Sequence, residues 1–265
     1  MKVAIVSRSG TSLPHVIKAA ARKNLDVDPT LIILDLSFKR KIKLAFSIRK
    51  RIGLLNLCYF AVSKFLESRC VIRLMKENRV VITGPEFKFE SDSIELLEYL
   101  KLENFDLLIL GQNLILGRKI LNAGSNKFVN VHPAKLPEYR GYAEPAHAIL
   151  AGNHSDIGFS LHMVSPLLDE GNIIGFFPVH LPETDSLNMK LTKVRFLGYE
   201  KLFAMIAKEG ITDFFNSSTP QNNSKAGFVD ILPAKIRFFL DFQIFLRRIA
   251  LNLRIKSSAN FLKEK

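Results

Sequence analysis

Short apolar runs alternate with segments of helical character along the first half of this chain, and that alternation narrows the open folds most. Lys2–Ser7, Leu31–Leu34, Arg79–Thr83, Leu107–Leu110 and Phe128–His132 are strand-length and mostly apolar. Pro14 opens a helix through Lys23, since proline suits a first helical turn. Asp92 reads as the N-cap of a helix over Ile94–Leu100, with Glu95 placed as in a capping box. Gly84-Pro85 and Gly111 stop the third and fourth runs. Apolar strands alternating with helices imply a parallel sheet covered on both faces. The expected class is therefore α/β, a Rossmann-like, mostly parallel sheet with a helical, basic C-terminal appendage. After His132 the pattern changes. Ile157–Met163 and Asn172–Val179 read as a strand pair linked through Asp169-Glu170-Gly171, and Ser186–Lys208 as a helix. Ser217–Lys225 is rich in Ser, Asn, Gln and Pro, as linkers are. The expected division is a main domain over 1–209, a linker over 210–232 and a basic amphipathic helical tail over 233–265.

Composition sets the boundaries of class. With 265 residues, 48% hydrophobic and 24% charged, the chain can bury one sizeable core and is not of the disordered type. Cys58 and Cys70 have no partners at metal-ligand spacing, so neither a disulfide framework nor a zinc site is expected, and a reducing cytoplasm fits. The opening MKVAIVSRSG reads as a strand and lacks the features of a signal peptide. No stretch is long and apolar enough to cross a bilayer. A net charge of +13 favours anionic partners. Much of it lies in Phe38–Lys43 with Arg49-Lys50-Arg51, and in Lys235, Arg237, Arg247, Arg248, Arg254 and Lys256. In both places basic residues interleave with Phe, Leu and Ile, a pattern that can lie on an anionic membrane surface. A packing helix with a solvated basic face is the commoner origin of such a pattern, so the expected location is cytoplasmic, either free or in peripheral contact with the inner face of the membrane.

The stretch richest in chemistry is Phe128-Val129-Asn130-Val131-His132-Pro133-Ala134-Lys135-Leu136-Pro137-Glu138-Tyr139-Arg140-Gly141. Asn130 and His132 lie two apart on a strand, so their side chains share a face. They sit at its carboxyl end, where open parallel sheets bind ligands. Two prolines and Gly141 then impose an irregular loop. A carboxylate, Asp169, follows before a tight turn between strands.

With these residues in place, the chain resembles the folate-dependent formyltransferases, a family spanning glycinamide ribonucleotide, methionyl-tRNA and sugar-nucleotide enzymes. Their pattern is Asn-x-His-Pro-Ser-x-Leu-Pro-x-x-x-Gly, then Asp-x-Gly. Here it is met by Asn130, His132, Pro133, Leu136, Pro137 and Gly141, then Asp169 and Gly171. Pro145, Ala148, Ile149, Gly152, Gly158 and His162 match as well. The resemblance implies transfer of a formyl group from 10-formyltetrahydrofolate, the co-substrate, to a primary amine. Asn130 and a protonated His132 would donate to the developing oxyanion. Asp169 would keep His132 charged and help carry the amine proton. It places the pterin against Gln112, Leu114, Ile115 and Leu116, with Val164–Leu168 closing the other side through Val164 and Leu168. No metal is implied, and no metal-ligand cluster stands out in the spacing. Arg8, Tyr139, Arg140 and Glu144 are candidates for substrate contact.

Several positions depart from the pattern. Ala134 replaces the usual Ser, and Glu144 stands where small or apolar residues are common, able to pair with Arg140 or meet a substrate. His147 reads as a helix-surface residue. Ser7–Ser12 leads into a helix and could hold phosphate, but it lacks the glycine spacing of the glycinamide ribonucleotide enzymes. The helical tail differs from the β-barrel of methionyl-tRNA enzymes, and the chain opens without the regulatory domain of the folate hydrolases. The expected acceptor is an amino sugar on a nucleotide or lipid carrier, in surface polysaccharide biosynthesis. Nucleic acid enters only as a tRNA substrate, and an oligomer is compatible. The alternatives are methionyl-tRNA or glycinamide ribonucleotide formylation, hydrolysis of the folate, and a non-catalytic folate binder.

Overall fold

The computed structural model describes residues 1–8, 13–35, 46, 50, 53–77, 85–90, 93–111, 116–125, 127–142 and 144–261. In chain order the elements are β1 (Val3–Arg8), α1 (Leu13–Leu25), β2 (Thr30–Asp35), α2 (Leu54–Glu77), β3 (Glu86–Glu90), α3 (Ile94–Glu103), β4 (Leu107–Gly111), α4 (Arg118–Ala123) and β5 (Phe128–His132). There follow β6 (Arg140–Gly141), α5 (Pro145–Leu150), β7 (Gly158–Met163), β8 (Ile173–Pro178), α6 (Leu187–Glu209), α7 (Ile211–Asn216), β9 (Phe228–Val229) and α8 (Ala234–Phe261).

Seven strands form one sheet in the order β3-β2-β1-β4-β5-β7-β8. The first five are parallel, and β7 and β8 run antiparallel to their neighbours. The central strands are mostly apolar because both faces are covered. In β1, Val3 and Ile5 face one core with Val16 and Ile17 of α1 and Val194 and Leu202 of α6. Ala4 and Val6 face the other, with Leu96 and Leu100 of α3 and Ile120 of α4. Gly198 lets α6 lie close on the sheet, since a Cβ there would fall 2.3 Å from Val131 Cγ1.

The mostly parallel α/β class holds. One local reading is corrected. The cap of α3 is Ser93 and not Asp92: the Leu96 amide donates to Ser93 Oγ at 3.2 Å. Edge strand β3 is Glu86–Glu90, whereas the expected Arg79–Thr83 run lies outside the described residues, as does most of the 38–51 basic segment. Residues 210–232 carry α7 and β9, and β9 pairs with β6 at Arg140↔Phe228 and Gly141↔Val229. No helix among the described residues is long and apolar enough to cross a membrane. Cys58 and Cys70 are both free thiols.

Candidate active site

The site lies at the carboxyl end of β4 and β5, where the parallel part of the sheet meets antiparallel β7. The register places Asn130 directly opposite His162 and His132 opposite Ser160. Each pair has a local consequence. Asn130 Nδ2 lies 3.0 Å from His162 Nε2. His162 Nδ1 lies 2.8 Å from the Met163 carbonyl, an acceptor, so the ring proton belongs on Nδ1. Nε2 then accepts from the Asn130 amide, which fixes the direction of that amide. Ser160 Oγ donates to the Ala134 carbonyl at 2.8 Å and accepts from the Leu136 amide at 3.0 Å. The loop after β5 is thus pinned from the neighbouring strand, with Ala134 in place of the usual Ser. The Leu136–Pro137 peptide in that loop is cis.

His132 is buried, and its Nε2 donates to the Tyr139 carbonyl at 2.7 Å. Nδ1 is left facing Asp169 Oδ2 at 3.7 Å. Asp169 Oδ1 lies 3.8 Å from His162 Nε2. The expectation of a charged His132 meets a buried ring here, with Asp169 as its one facing carboxylate among the described residues. Burial pushes its pKa below the ordinary 6.5, more than Asp169 and the Tyr139 carbonyl raise it. Burial also holds His162 down, at about 4. Burial favours the neutral form of both rings, and in that form Nδ1 of His132 offers a lone pair.

Asp169 has φ +54°, in the left-handed region, so its loop must be held by others. Its Oδ2 accepts from the Gly141 amide at 2.9 Å. Gly141 itself has φ +95°, and a Cβ there would fall 2.7 Å from the Phe228 ring and the Val229 carbonyl. Gln221 donates from Nε2 to the carbonyls of Asp169 and Gly171, both at 2.7 Å. Arg140 donates to Gln221 Oε1 and Asn223 Oδ1 at 2.7 Å and pairs with Glu170 at 3.2 Å. A side chain from the segment read as linker thus clamps the aspartate loop.

The structure brings Asn130, His132 and Asp169 together and adds His162 and Gln221, to which sequence reasoning assigned no role. The alternation of β7 would have shown His162 on the face of β7 paired with Asn130; nothing local marks Gln221. A small cleft is lined by Leu110, Asn130, His162, Val164, Leu168 and Asp169, with His132 buried behind Asp169. Leu167 and Leu168 are exposed at its rim, and the Val164 amide donates to the Phe128 carbonyl at 2.9 Å. Leu116 is buried in the core. Gln112, Leu114 and Ile115 lie outside the described residues.

The suggested substrate contacts fare differently. Arg140 is committed to the clamp. Tyr139 is buried, with its hydroxyl accepting from Asn153 Nδ2 at 3.2 Å. Glu144 does not pair with Arg140; it forms a buried ion pair with Arg237 of α8 and caps α5. His147 completes that capping box and donates from Nε2 to the Asp230 carbonyl at 3.0 Å, so it is not a plain surface residue. Arg8 ends β1, half-buried and electrostatically coupled to Tyr142.

Sequence spacing showed no metal cluster, yet the fold gathers His132, His162 and Asp169 with ligand atoms within 4.8 Å of one another. The three could ligate a cation; the hydrogen bonds from Asn130 to His162 Nε2 and from Gly141 to Asp169 Oδ2 satisfy two of these atoms without one.

A family model described as formyl transferase matches residues 59–206, more than half of the chain. The methionyl-tRNA formyltransferase of Staphylococcus epidermidis is 30% identical over 158 residues, 60% of this chain and 49% of that protein. The chain thus spans about half the length of the curated relatives it matches. Among solved structures, phosphoribosylglycinamide formyltransferase from Anaplasma phagocytophilum has a TM-score of 0.50 at 20% identity, covering 78% of this chain and 87% of that one. A Mycobacterium tuberculosis protein described as a candidate sugar N-formyltransferase has a TM-score of 0.50 at 15% identity, over 86% of this chain and 74% of that one. At those identities the likeness is one of fold.

Proposed function

The chain belongs to the formyl transferase family, and on that premise we propose that it moves a formyl group from 10-formyltetrahydrofolate to a primary amine. The observation that carries this reading is the convergence of a directed amide and a carboxylate on one cleft, with the buried His132 imidazole against that carboxylate. The amine nitrogen attacks the formyl carbon, and the carbonyl oxygen takes up negative charge. Asn130, with one N–H held by His162, donates the other to that oxygen. His132 Nδ1 accepts the proton lost by the amine, and the imidazolium that results is stabilised by Asp169. The carbon–nitrogen bond to the folate then breaks, the folate nitrogen regains a proton and the formamide is complete. The apolar rim of Val164, Leu167 and Leu168 supplies a dry wall for the pterin.

For the acceptor, we propose an amino sugar on a nucleotide or lipid carrier. Support comes from the basic α8, a helix where the methionyl-tRNA family is expected to carry a β-barrel, and from the charge of +13. Formylation of methionyl-tRNA is the second reading, favoured by the 30% identity over 158 residues. Purified protein would be incubated with 10-formyltetrahydrofolate and a panel of nucleotide-linked amino sugars, glycinamide ribonucleotide and methionyl-tRNA. Tetrahydrofolate release and acceptor mass gain are read together. A formylated amino sugar supports the first reading and formylated methionyl-tRNA the second. Release with no acceptor modified points to hydrolysis, and no release at all refutes the transferase reading.

A further inference from the structure

Helix α8 buries one side only. Arg237 and Leu240 are buried and Asp241 and Ile244 half-buried, at the three- and four-residue steps of one helical face. The other side is apolar and exposed: Phe238, Phe242, Phe245 and Ile249 repeat at the same steps, and the rings of Phe238 and Phe242 stack at 6.4 Å. Helix α2, packed beside it, repeats the arrangement. Glu67 and Val71 point inward, while Phe65 and Ile72 are exposed with Arg69 and Arg73 among them. A groove joins the two helices, with Leu66, Arg69 and Arg73 on one wall and Phe245 and Arg248 on the other.

We propose that α2 and α8 together form a surface that docks on the face of an anionic lipid bilayer. The aromatic side chains enter the acyl boundary, and the arginines meet headgroup phosphates. Charge decides the occupant. A second copy would bring Arg69 and Arg73 against a partner also carrying +13, whereas an anionic bilayer complements that charge. An RNA backbone would satisfy the arginines but give the apolar stripe nothing to bury in. Since no described helix can cross the bilayer, the contact is with its surface.

The test is flotation of the full chain with phosphatidylcholine vesicles, with and without phosphatidylglycerol, a readout independent of turnover. Binding is expected only to the phosphatidylglycerol vesicles, weakening as salt rises. Both Phe242→Glu/Phe245→Glu and Arg69→Glu should reduce it by about tenfold or more, with melting temperature and formyl release unchanged. No binding to anionic vesicles, or equal binding to neutral ones, overturns the proposal. So does a dimer in sedimentation that the phenylalanine variant dissolves, or RNA binding that only the arginine variant abolishes.

Discussion

Which nitrogen of each histidine carries a proton decides what the site can do. His132 spends its Nε2 proton on the Tyr139 carbonyl and His162 its Nδ1 proton on the Met163 carbonyl. His132 is thereby left to accept and Asn130 to donate. Asn130→Ala removes the proposed oxyanion donor and should lower kcat by about two to three orders of magnitude with little change in folate affinity, which steady-state kinetics and fluorescence titration would show. Asp169→Asn keeps the shape but not the charge that stabilises the imidazolium, so kcat should again fall while folate binding survives. Undiminished turnover in either variant would remove that residue from the chemistry. Both histidines titrate below the ordinary 6.5, His162 at about 4. An unfolded chain takes up protons at both as pH falls through about 6.5, before the folded chain does. Their contribution to stability is therefore complete above that pH and is lost as pH falls toward about 4. Thermal melts across this range should show the decline, and His162→Gln should make it shallower; an unchanged slope would contradict the burial argument.

Turns and helix ends carry the next level of control. At Gly171 a Cβ would sit 1.8 Å from the Met163 carbonyl. Gly171→Ala must push the aspartate turn outward, at a cost of about 1–3 kcal/mol in stability by denaturant titration, together with lost turnover because Asp169 moves. Wild-type stability and activity would mean the turn has room that the geometry denies it. The buried strands were readable because apolar runs covered on both faces leave a continuous signal: β1, β2, β4 and β5 all lie on runs picked out from sequence. Edge strand β3 was not, because only Phe87 and Phe89 alternate with Glu86, Lys88 and Glu90, and their partner Tyr99 lies on another element at 5.1 Å. In the site, Asn130 and His132 were legible by their two-residue spacing. The burial that disfavours a charged His132 was not, since it is a property of the assembled layers. Gln221 was hidden because a polar residue in a Ser- and Asn-rich stretch looks like linker until its partners are known.

For the molecule as a whole, the C-terminal helix is fastened to the catalytic layers by the buried Glu144–Arg237 pair, with Arg237 also donating to Asn188 Oδ1 at 2.8 Å. Removing one partner strands a charge away from water. Glu144→Gln is expected to cost about 3–5 kcal/mol by urea denaturation, while Glu144→Met with Arg237→Met should recover most of the loss. A single variant as stable as wild type would show that the pair is solvated. The clamp on the aspartate loop has a bearing on the order of synthesis. Gln221 leaves the ribosome 50 residues after the Gly171 carbonyl it holds, and Arg237 follows Glu144 by 93. A nascent chain with its strands already paired would still lack the Gln221 clamp, so the Asp169 loop is set in place only after that later segment has emerged.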